Sequence, residues 1–133
     1  MKKLFLLAAF IILTRCVAFA QITIAAKDAA QNVGKSVVVF DKVYTTGVDE
    51  GSGTAFLYLG RNYPDQYLTV VIKHQDRAKF TQEEPELYFK WVQVRVAGKI
   101  VLYKNRPAII PTEAAQLQLD MRGRTIQLPG PKH

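Results

Sequence analysis

The chain has 133 residues, of which 49% are hydrophobic and 22% charged, and its formal net charge is +7. This length is enough for one domain with its own apolar core, and no internal repeat or second domain is evident. With one cysteine, two histidines and no HExxH, P-loop or GxSxG motif, the sequence excludes the enzyme classes that those motifs define. The positive charge is compatible with anionic partners, although solubility alone could account for it.

The first twenty residues are typical of a secretory signal peptide. Two lysines precede a continuous apolar run, and Ala18-Phe19-Ala20 fits the small-x-small cleavage pattern. Cleavage before Gln21 would remove three cations and the only cysteine, which lowers the net charge from +7 to +4 and leaves no disulfide. We therefore expect an exported protein, periplasmic or extracellular, without a membrane span after cleavage. Two alternatives remain open: a retained membrane anchor, for which the apolar run is short, and lipid attachment at Cys16, where the preceding Arg15 is unfavourable.

The mature chain is predicted to begin with a helix and a long strand. The alanine repeat over 22–32 indicates a short helix with Gly34 at its C-cap. Residues 36–46 form a valine-rich strand in which strict alternation would turn Asp41 inward, so a β-bulge near that residue is expected. The polar segment 47–53 has the composition of a hairpin loop.

Residues 56–72 predict a β-hairpin whose two faces differ in chemistry. Two runs of aliphatic, β-branched and aromatic residues flank the turn-forming segment 60–65. Because side chains alternate along a strand, one face is aliphatic and comprises Leu57, Leu59, Leu68, Val70 and Ile72. The other face is aromatic and polar and comprises Phe56, Tyr58, Tyr67, Thr69 and Lys73. Such an aromatic and basic face is suited to a stacked, negatively charged ligand.

The second half of the chain predicts a helical insert followed by two strands. Residues 74–90 lose strand character, and Pro85 among acidic residues is typical of a first helical turn. The segment 91–103 alternates as a strand with a bend at Gly98. A turn follows, and 108–110 is predicted to be a short last strand.

These elements predict an all-β fold. Five strands, with a short N-terminal helix and a helical insert between strands 3 and 4, match the order of the five-stranded OB-fold, a small Greek-key barrel. The predicted domain spans residues 21–111, and the polar segment 112–133 is predicted to be a flexible tail. An open α+β sheet remains an alternative. The expected core comprises Val37, Val39, Leu57, Leu59, Leu68, Val70, Ile72, Val92, Val94 and Val96.

Short motifs along the chain resemble a family of small secreted bacterial OB-fold domains. They comprise Val33-Gly34-Lys35 before the valine-rich strand, FLxLGxxYPxQ over 56–66, TVVI over 69–72 and VxVxGKI over 94–100. The similarity covers about residues 24–110. It implies the barrel. Domains of this family are described as nucleic-acid-binding-like and occur in secreted or envelope proteins and beside nucleases.

The titratable residues favour structural roles. His74 lies two positions before Asp76, and three glutamates surround Pro85. A histidine at a strand end is more often exposed than catalytic, and acidic residues at a helix start are more often solvated dipole partners than metal ligands. We therefore predict no catalytic activity, no metal site and no cofactor.

The function that these features favour is that of a non-catalytic, monomeric binding module. Exposed rings stack on bases and cations contact phosphates, so weak, sequence-independent binding of single-stranded nucleic acid is predicted. The alternative is an envelope or secreted adaptor that binds a protein or a glycan through the same face. The predicted stacking residues are Phe56, Tyr58 and Tyr67, and the predicted phosphate contacts are Arg61, Lys73, Lys104 and Arg106.

Overall fold

The computed structural model describes residues 21–121. The predicted signal peptide, 1–20, and the last part of the predicted tail, 122–133, lie outside the described residues. Within residues 21–121, no helix has the length and apolar composition needed to cross a membrane.

Strands make up most of the secondary structure in the described residues. The eight strands are β1 Ile22–Ile24, β2 Ser36–Asp49, β3 Thr54–Leu59, β4 Leu68–Ile72, β5 Gln93–Lys99, β6 Val101–Tyr103, β7 Arg106–Ile109 and β8 Leu117–Leu119. The helical elements are short 3-10 segments at Ala26–Asn32, His74–Asp76 and Ala114–Gln116 and α-helical turns at Arg77–Phe80 and Pro85–Tyr88. The predicted β-rich character is confirmed, whereas the prediction of five strands is too low.

The strands pair in a mixed sheet in which β2 has three neighbours. β2 pairs antiparallel with β3 and β5 and parallel with β1. β3 pairs antiparallel with β4, β4 pairs parallel with β7, and the hydrogen-bonded order is β6-β7-β4-β3-β2-β5-β8. This order is an open mixed sheet and not a clear five-stranded barrel. The strand count exceeds five because the predicted strand 91–103 divides at Ile100 and because the ends of the domain contribute β1 and β8.

The bulge in β2 occurs at Tyr44 and not near Asp41 as predicted. In the ladder with β3, Val43 and Thr45 oppose two adjacent residues, which leaves Tyr44 as the extra residue. Asp41 stays in the regular part of the strand, where its carboxylate accepts a hydrogen bond of 2.9 Å from the backbone N–H of Ala26. The half-buried carboxylate is therefore satisfied without a change of register.

The alanine-rich N-terminus is not the predicted continuous helix over 22–32. Ile22–Ile24 pairs in parallel with Val37–Val39, and only Ala26–Asn32 is helical, as a 3-10 helix. Ala26 and Ala29 are fully buried in the core cluster. Pairing with β2 thus overrides the helix propensity of the first residues.

The aliphatic face of the β3–β4 hairpin lies in the core, as predicted. Leu57 pairs with Val70, and both are fully buried. Nine of the ten predicted core residues are buried, whereas Val92 is only half-buried. Phe89, at the end of the helical insert, and Ile100 complete the core from outside the hairpin.

Charged side chains pair within the helical insert, and one of them, Arg77, also connects the insert to the turn between β2 and β3. Arg77 Nη2 donates to both carboxylate oxygens of Glu86, at 3.0 and 3.1 Å, and Arg77 Nη1 donates to the carbonyl of Gly53 at 2.9 Å. Asp76 accepts a hydrogen bond of 2.9 Å from Lys79 Nζ, and this bond raises the pKa of Lys79. Glu86 is therefore a buried ion-pair partner, and not an exposed helix-start residue as the pattern indicates.

Residues 112–121 are part of the fold and not of a flexible tail. Glu113 and Gln116 form a capping box at the 3-10 turn, and β8 pairs antiparallel with β5. Leu117 is buried in the core cluster. Side-chain hydrogen bonds also hold the segment: Lys79 Nζ donates to the carbonyl of Thr112 at 2.9 Å, and Gln116 Nε2 donates to that of Ala97 at 3.1 Å. The polar composition of the segment does not predict these contacts.

Candidate ligand-binding site

A cavity of about 310 Å³ opens between the β3–β4 loop and the β6–β7 turn. We call it the aromatic pocket. It is lined by Phe56, Tyr58, Tyr63, Pro64, Gln66, Thr69, Tyr103, Lys104 and Arg106. Its volume is at the lower end of the range of ligand pockets, which is suited to one or two planar rings.

Four aromatic rings form a row along one side of the pocket. Phe56 and Tyr58 are alternate residues of β3, and their rings are nearly parallel at a centroid distance of 6.3 Å. Tyr63 from the loop lies 4.9 Å from Tyr58, and Tyr103 from β6 lies 6.0 Å from Phe56. The row therefore runs from the loop across the hairpin to the β6–β7 turn, and its rings offer faces on which a planar group can stack.

The β6–β7 turn places a cation at the rim of the pocket. Tyr103 pairs with Arg106, so Lys104 and Asn105 form a two-residue turn, and both have positive φ, +50° and +65°. Positive φ at both positions is the mark of the type I′ turn, which matches the twist of the two strands. Lys104 Nζ lies 5.5 Å from the centroid of the Tyr103 ring. An anion bound at this rim would meet an exposed ammonium group.

The Arg106 side chain supports the pocket through hydrogen bonds to backbone carbonyl groups. Its guanidinium donates hydrogen bonds to the carbonyl oxygens of Pro64 and Gln66, the latter at 2.7 Å. These contacts connect β7 to the end of the β3–β4 loop. The geometry makes Arg106 a brace for the loop, which differs from the predicted phosphate contact.

The inner wall of the pocket is polar and buried. Gln66 and Thr69 are each 6% exposed, and Gln66 Nε2 donates to Thr69 Oγ1 at 3.1 Å. Gln66 Oε1 is buried and has no hydrogen-bond partner among the described residues. Burial raises the pKa of Tyr58 above its ordinary value of 10.0, and the neighbouring Tyr63 and Tyr103 add to the shift. The Tyr58 hydroxyl therefore keeps its proton to a higher pH than a free tyrosine does.

The structure brings together four of the seven predicted ligand-binding residues. Phe56, Tyr58, Lys104 and Arg106 line the aromatic pocket. Tyr67 instead packs against the core and Gly60, and the Arg61 guanidinium lies 4.8 Å from the centroid of its ring. Lys73 is exposed after the end of β4 and lines no part of this pocket.

The position of Tyr67 departs from simple alternation for a local reason. Thr69 lines the pocket, so alternation predicts that Tyr67 faces it as well. However, Tyr67 precedes the first residue of β4, and its N–H bonds to the carbonyl of Leu59 next to Gly60, which has a φ of +87°. The ring occupies the space that a side chain at Gly60 would fill, 2.6 Å from the place of its Cβ.

Tyr63 and Tyr103 line the pocket, and sequence reasoning misses both. Tyr63 is in the loop, where periodicity carries no information, and Tyr103 lies next to Phe56 only because of pairing between strands that are distant in the chain. The positions of Gln66 and Thr69 are likewise set by tertiary structure. The one available signal is the turn itself, since Tyr103 directly precedes it.

No group of three or more His, Cys, Asp and Glu side chains that could hold a metal ion occurs within residues 21–121. The Asp76 carboxylate, which the sequence places near His74, is paired with Lys79 instead. The pocket lining contains no carboxylate, cysteine or histidine. Its chemistry is that of stacking, hydrogen bonding and a single rim cation.

Comparison with known proteins gives no match in sequence and a weak match in structure. No protein-family model and no curated protein matches this sequence. One structural match is the crystal structure of a protein assigned as an aspartyl-tRNA synthetase from Leishmania major Friedlin, with 13% sequence identity and a TM-score of 0.44. The match covers 76% of this chain, and this chain spans about a fifth, 21%, of that one. A similarity at this level assigns neither fold nor function.

Proposed function

We propose that the β-rich domain is an OB-fold of the small secreted bacterial family that its motifs resemble. The support is the pairing pattern: β2 pairs antiparallel with both β3 and β5, and β4 pairs parallel with β7. β5 and β6 are separated only by Ile100, so one interrupted strand connects β6, at one end of the ladder, with β5, which is next to β8 at the other end. The helical insert lies between β4 and β5, where the OB-fold has its helix.

On this fold, the function that the site supports best is non-catalytic binding of single-stranded nucleic acid, weak and largely independent of sequence. The observation that carries the proposal is the row of four rings beside an exposed ammonium group in one cavity. Bases of any sequence stack on aromatic faces, and a nearby cation neutralises a phosphate. In an OB-fold, the second and third strands and the loop after the fourth form the ligand face, which corresponds to β3, β4 and the β6–β7 turn.

The affinity is expected to be modest because the charge at the pocket is small. Arg106 is engaged with two backbone carbonyls, which leaves Lys104 as the cation at the rim of the pocket lining. One phosphate contact on a single strand gives a salt slope, log K against log[salt], of about −0.7. Stacking contributes about 1–3 kcal/mol per base. The affinity should therefore decrease strongly when a ring is removed and only weakly when the salt concentration is raised.

The test is fluorescence anisotropy of the mature domain with a labelled oligonucleotide across a salt series. Tyr103→Ala should weaken binding roughly ten- to a hundredfold, because it removes one stacking face. Leu102→Ala is the matched control, since Leu102 is the neighbouring residue on β6, is 60% exposed and does not line the pocket. It should leave the affinity unchanged.

Absence of binding at low salt would refute the nucleic-acid function. The alternative, an envelope or secreted adaptor for a protein or a glycan, would then be favoured. Its signature is a partner from envelope extract whose binding resists high salt and nuclease but is lost in Tyr103→Ala.

We also propose that the protein is exported after cleavage before Gln21 and acts as a monomer. This proposal is supported by the apolar N-terminal run and the Ala18-Phe19-Ala20 pattern. Mass spectrometry of the native protein should find Gln21 at the N-terminus, and light scattering should give the mass of one chain. An intact Met1 or a lipidated Cys16 would contradict export by this route.

A further inference from the structure

We infer that a second nucleotide-binding subsite, centred on Tyr44, lies across the β3–β4 loop from the aromatic pocket. This inference rests on the proposed nucleic-acid function and extends it from one cavity to a path for a longer strand. Tyr44 lines a shallow cavity of about 340 Å³ together with Gly60, Arg61, Asn62 and Asp65. None of these residues lines the aromatic pocket.

The β2 bulge explains why Tyr44 is in this position. Tyr44 is the extra residue between Val43 and Thr45 in the ladder with β3, so no residue of β3 is opposite it. A bulge turns a side chain away from its regular direction, and bulges are frequent beside binding sites. Tyr44 is half-buried, so part of its surface is accessible at the edge of the loop.

Two cation and aromatic pairs each contribute one residue to the lining of this second cavity, Tyr44 and Arg61. Lys42 Nζ lies 5.2 Å from the centroid of the Tyr44 ring, and the Arg61 guanidinium lies 4.8 Å from that of Tyr67. Asp65 lies in the same cavity and opposes them with one negative charge. The lining thus has one cation and one anion, Arg61 and Asp65, and Lys42 adds a second cation beside the Tyr44 ring. Cations next to an aromatic face are the combination that binds single strands through stacking and phosphate contacts.

The two cavities share the same loop, with different residues facing each of them. Tyr63, Pro64 and Gln66 line the aromatic pocket, whereas Gly60, Arg61, Asn62 and Asp65 line the second cavity. The backbone N–H of Tyr63 donates to Thr45 Oγ1 at 2.8 Å, directly beside Tyr44. With consecutive Cα atoms about 3.8 Å apart, the backbones of Tyr44 and Tyr63 lie within about 10 Å of each other. About three nucleotides at the ~3.4 Å spacing of a stacked strand span that distance.

The experiment measures affinity against strand length. Oligothymidylates of about 3 to about 12 nucleotides are titrated against the mature domain and the variants Tyr44→Ala and Tyr44→Phe. The wild-type affinity should rise with length beyond the shortest strand. Tyr44→Ala should weaken the longest strand roughly tenfold and leave the shortest within about twofold. Tyr44→Phe retains the ring and should behave as the wild type.

Arg61→Gln gives a second measurement that does not depend on the fold of the Tyr44 variant. It should reduce the salt slope for long strands only, by roughly 0.7. The inference is overturned if Tyr44→Ala and Arg61→Gln act equally on short and long strands, or on neither. A wild-type domain that binds no oligonucleotide would overturn the proposed function and this inference together. Length-independent binding that Tyr103→Ala abolishes would overturn this inference alone.

Discussion

Replacement of Arg106 by lysine should show whether this residue holds the β3–β4 loop in place or contacts a phosphate of the ligand. The guanidinium donates to the carbonyls of Pro64 and Gln66 from two different nitrogens. Lysine keeps the positive charge but has no planar fork with which to reach both carbonyls. A phosphate contact would therefore survive Arg106→Lys in large part, whereas a brace would not.

The expected loss of stability follows from these two hydrogen bonds. A hydrogen bond that involves a charged group contributes about 1.5–3 kcal/mol, and water can replace part of the loss at a half-buried residue. We expect Arg106→Lys to lower the free energy of unfolding by about 1–2 kcal/mol in total. Urea unfolding would show this as a decrease in the midpoint of roughly 0.5–1 M at a typical slope.

The same variant should weaken oligonucleotide binding without changing its salt slope. The loop would lose its attachment to β7, so the Tyr63 ring would be less well ordered, but no phosphate contact would be removed. Lys104→Gln is the matched control, because it removes an exposed cation and should reduce the salt slope with little change in stability. The reasoning is refuted if Arg106→Lys retains full stability, or if neutral Arg106→Gln reduces the salt slope as Lys104→Gln does.

Two further predictions concern the loop and the pocket. Gly60→Ala should lower the free energy of unfolding by about 2 kcal/mol, because Gly60 has a φ of +87° and a Cβ there would lie 2.6 Å from Tyr67 Cδ2. Urea unfolding measures this against Gly51→Ala, in an exposed turn, and equal effects would contradict it. The raised pKa of Tyr58 means that the folded state holds its proton more tightly, so its contribution to stability is complete below pH 10.0 and decreases as the pH rises above that value. Ultraviolet titration should show a late-ionising tyrosine that Tyr58→Phe removes, and an unchanged titration would show that Tyr58 is not perturbed.

Alternation of side chains suffices to predict the core of the hairpin. A strand with one face against the core has to place every second residue inside, and Leu57, Leu59 and Val70 do so. The same rule predicts the outward direction of Phe56 and Tyr58. The number of strands is less accessible from sequence, because β1 and β8 are defined by their pairing with β2 and β5 and not by their own composition.

The composition of the pocket is largely inaccessible from sequence because it is assembled across chain distances. Tyr103 is adjacent to Phe56 through β6, β7 and β4, a relation that no local pattern contains. The charge of a residue does not predict its contacts either, since Arg106 and Lys104 are both cations beside one turn. The structure distinguishes them by their contacts, since Arg106 is hydrogen-bonded to the loop and Lys104 is exposed.

The β3–β4 loop connects the stability of the domain with its proposed function. Residues 61–65 are exposed, yet hydrogen bonds from three elements hold the loop: Thr45 on β2, Thr69 on β4 and Arg106 on β7. A loop that is ordered before binding spares the ligand the entropic cost of ordering it. Changes to the rings themselves should therefore weaken binding alone. Changes to the groups that hold the loop should weaken binding and stability together, and this difference distinguishes residues that contact the ligand from those that position the loop.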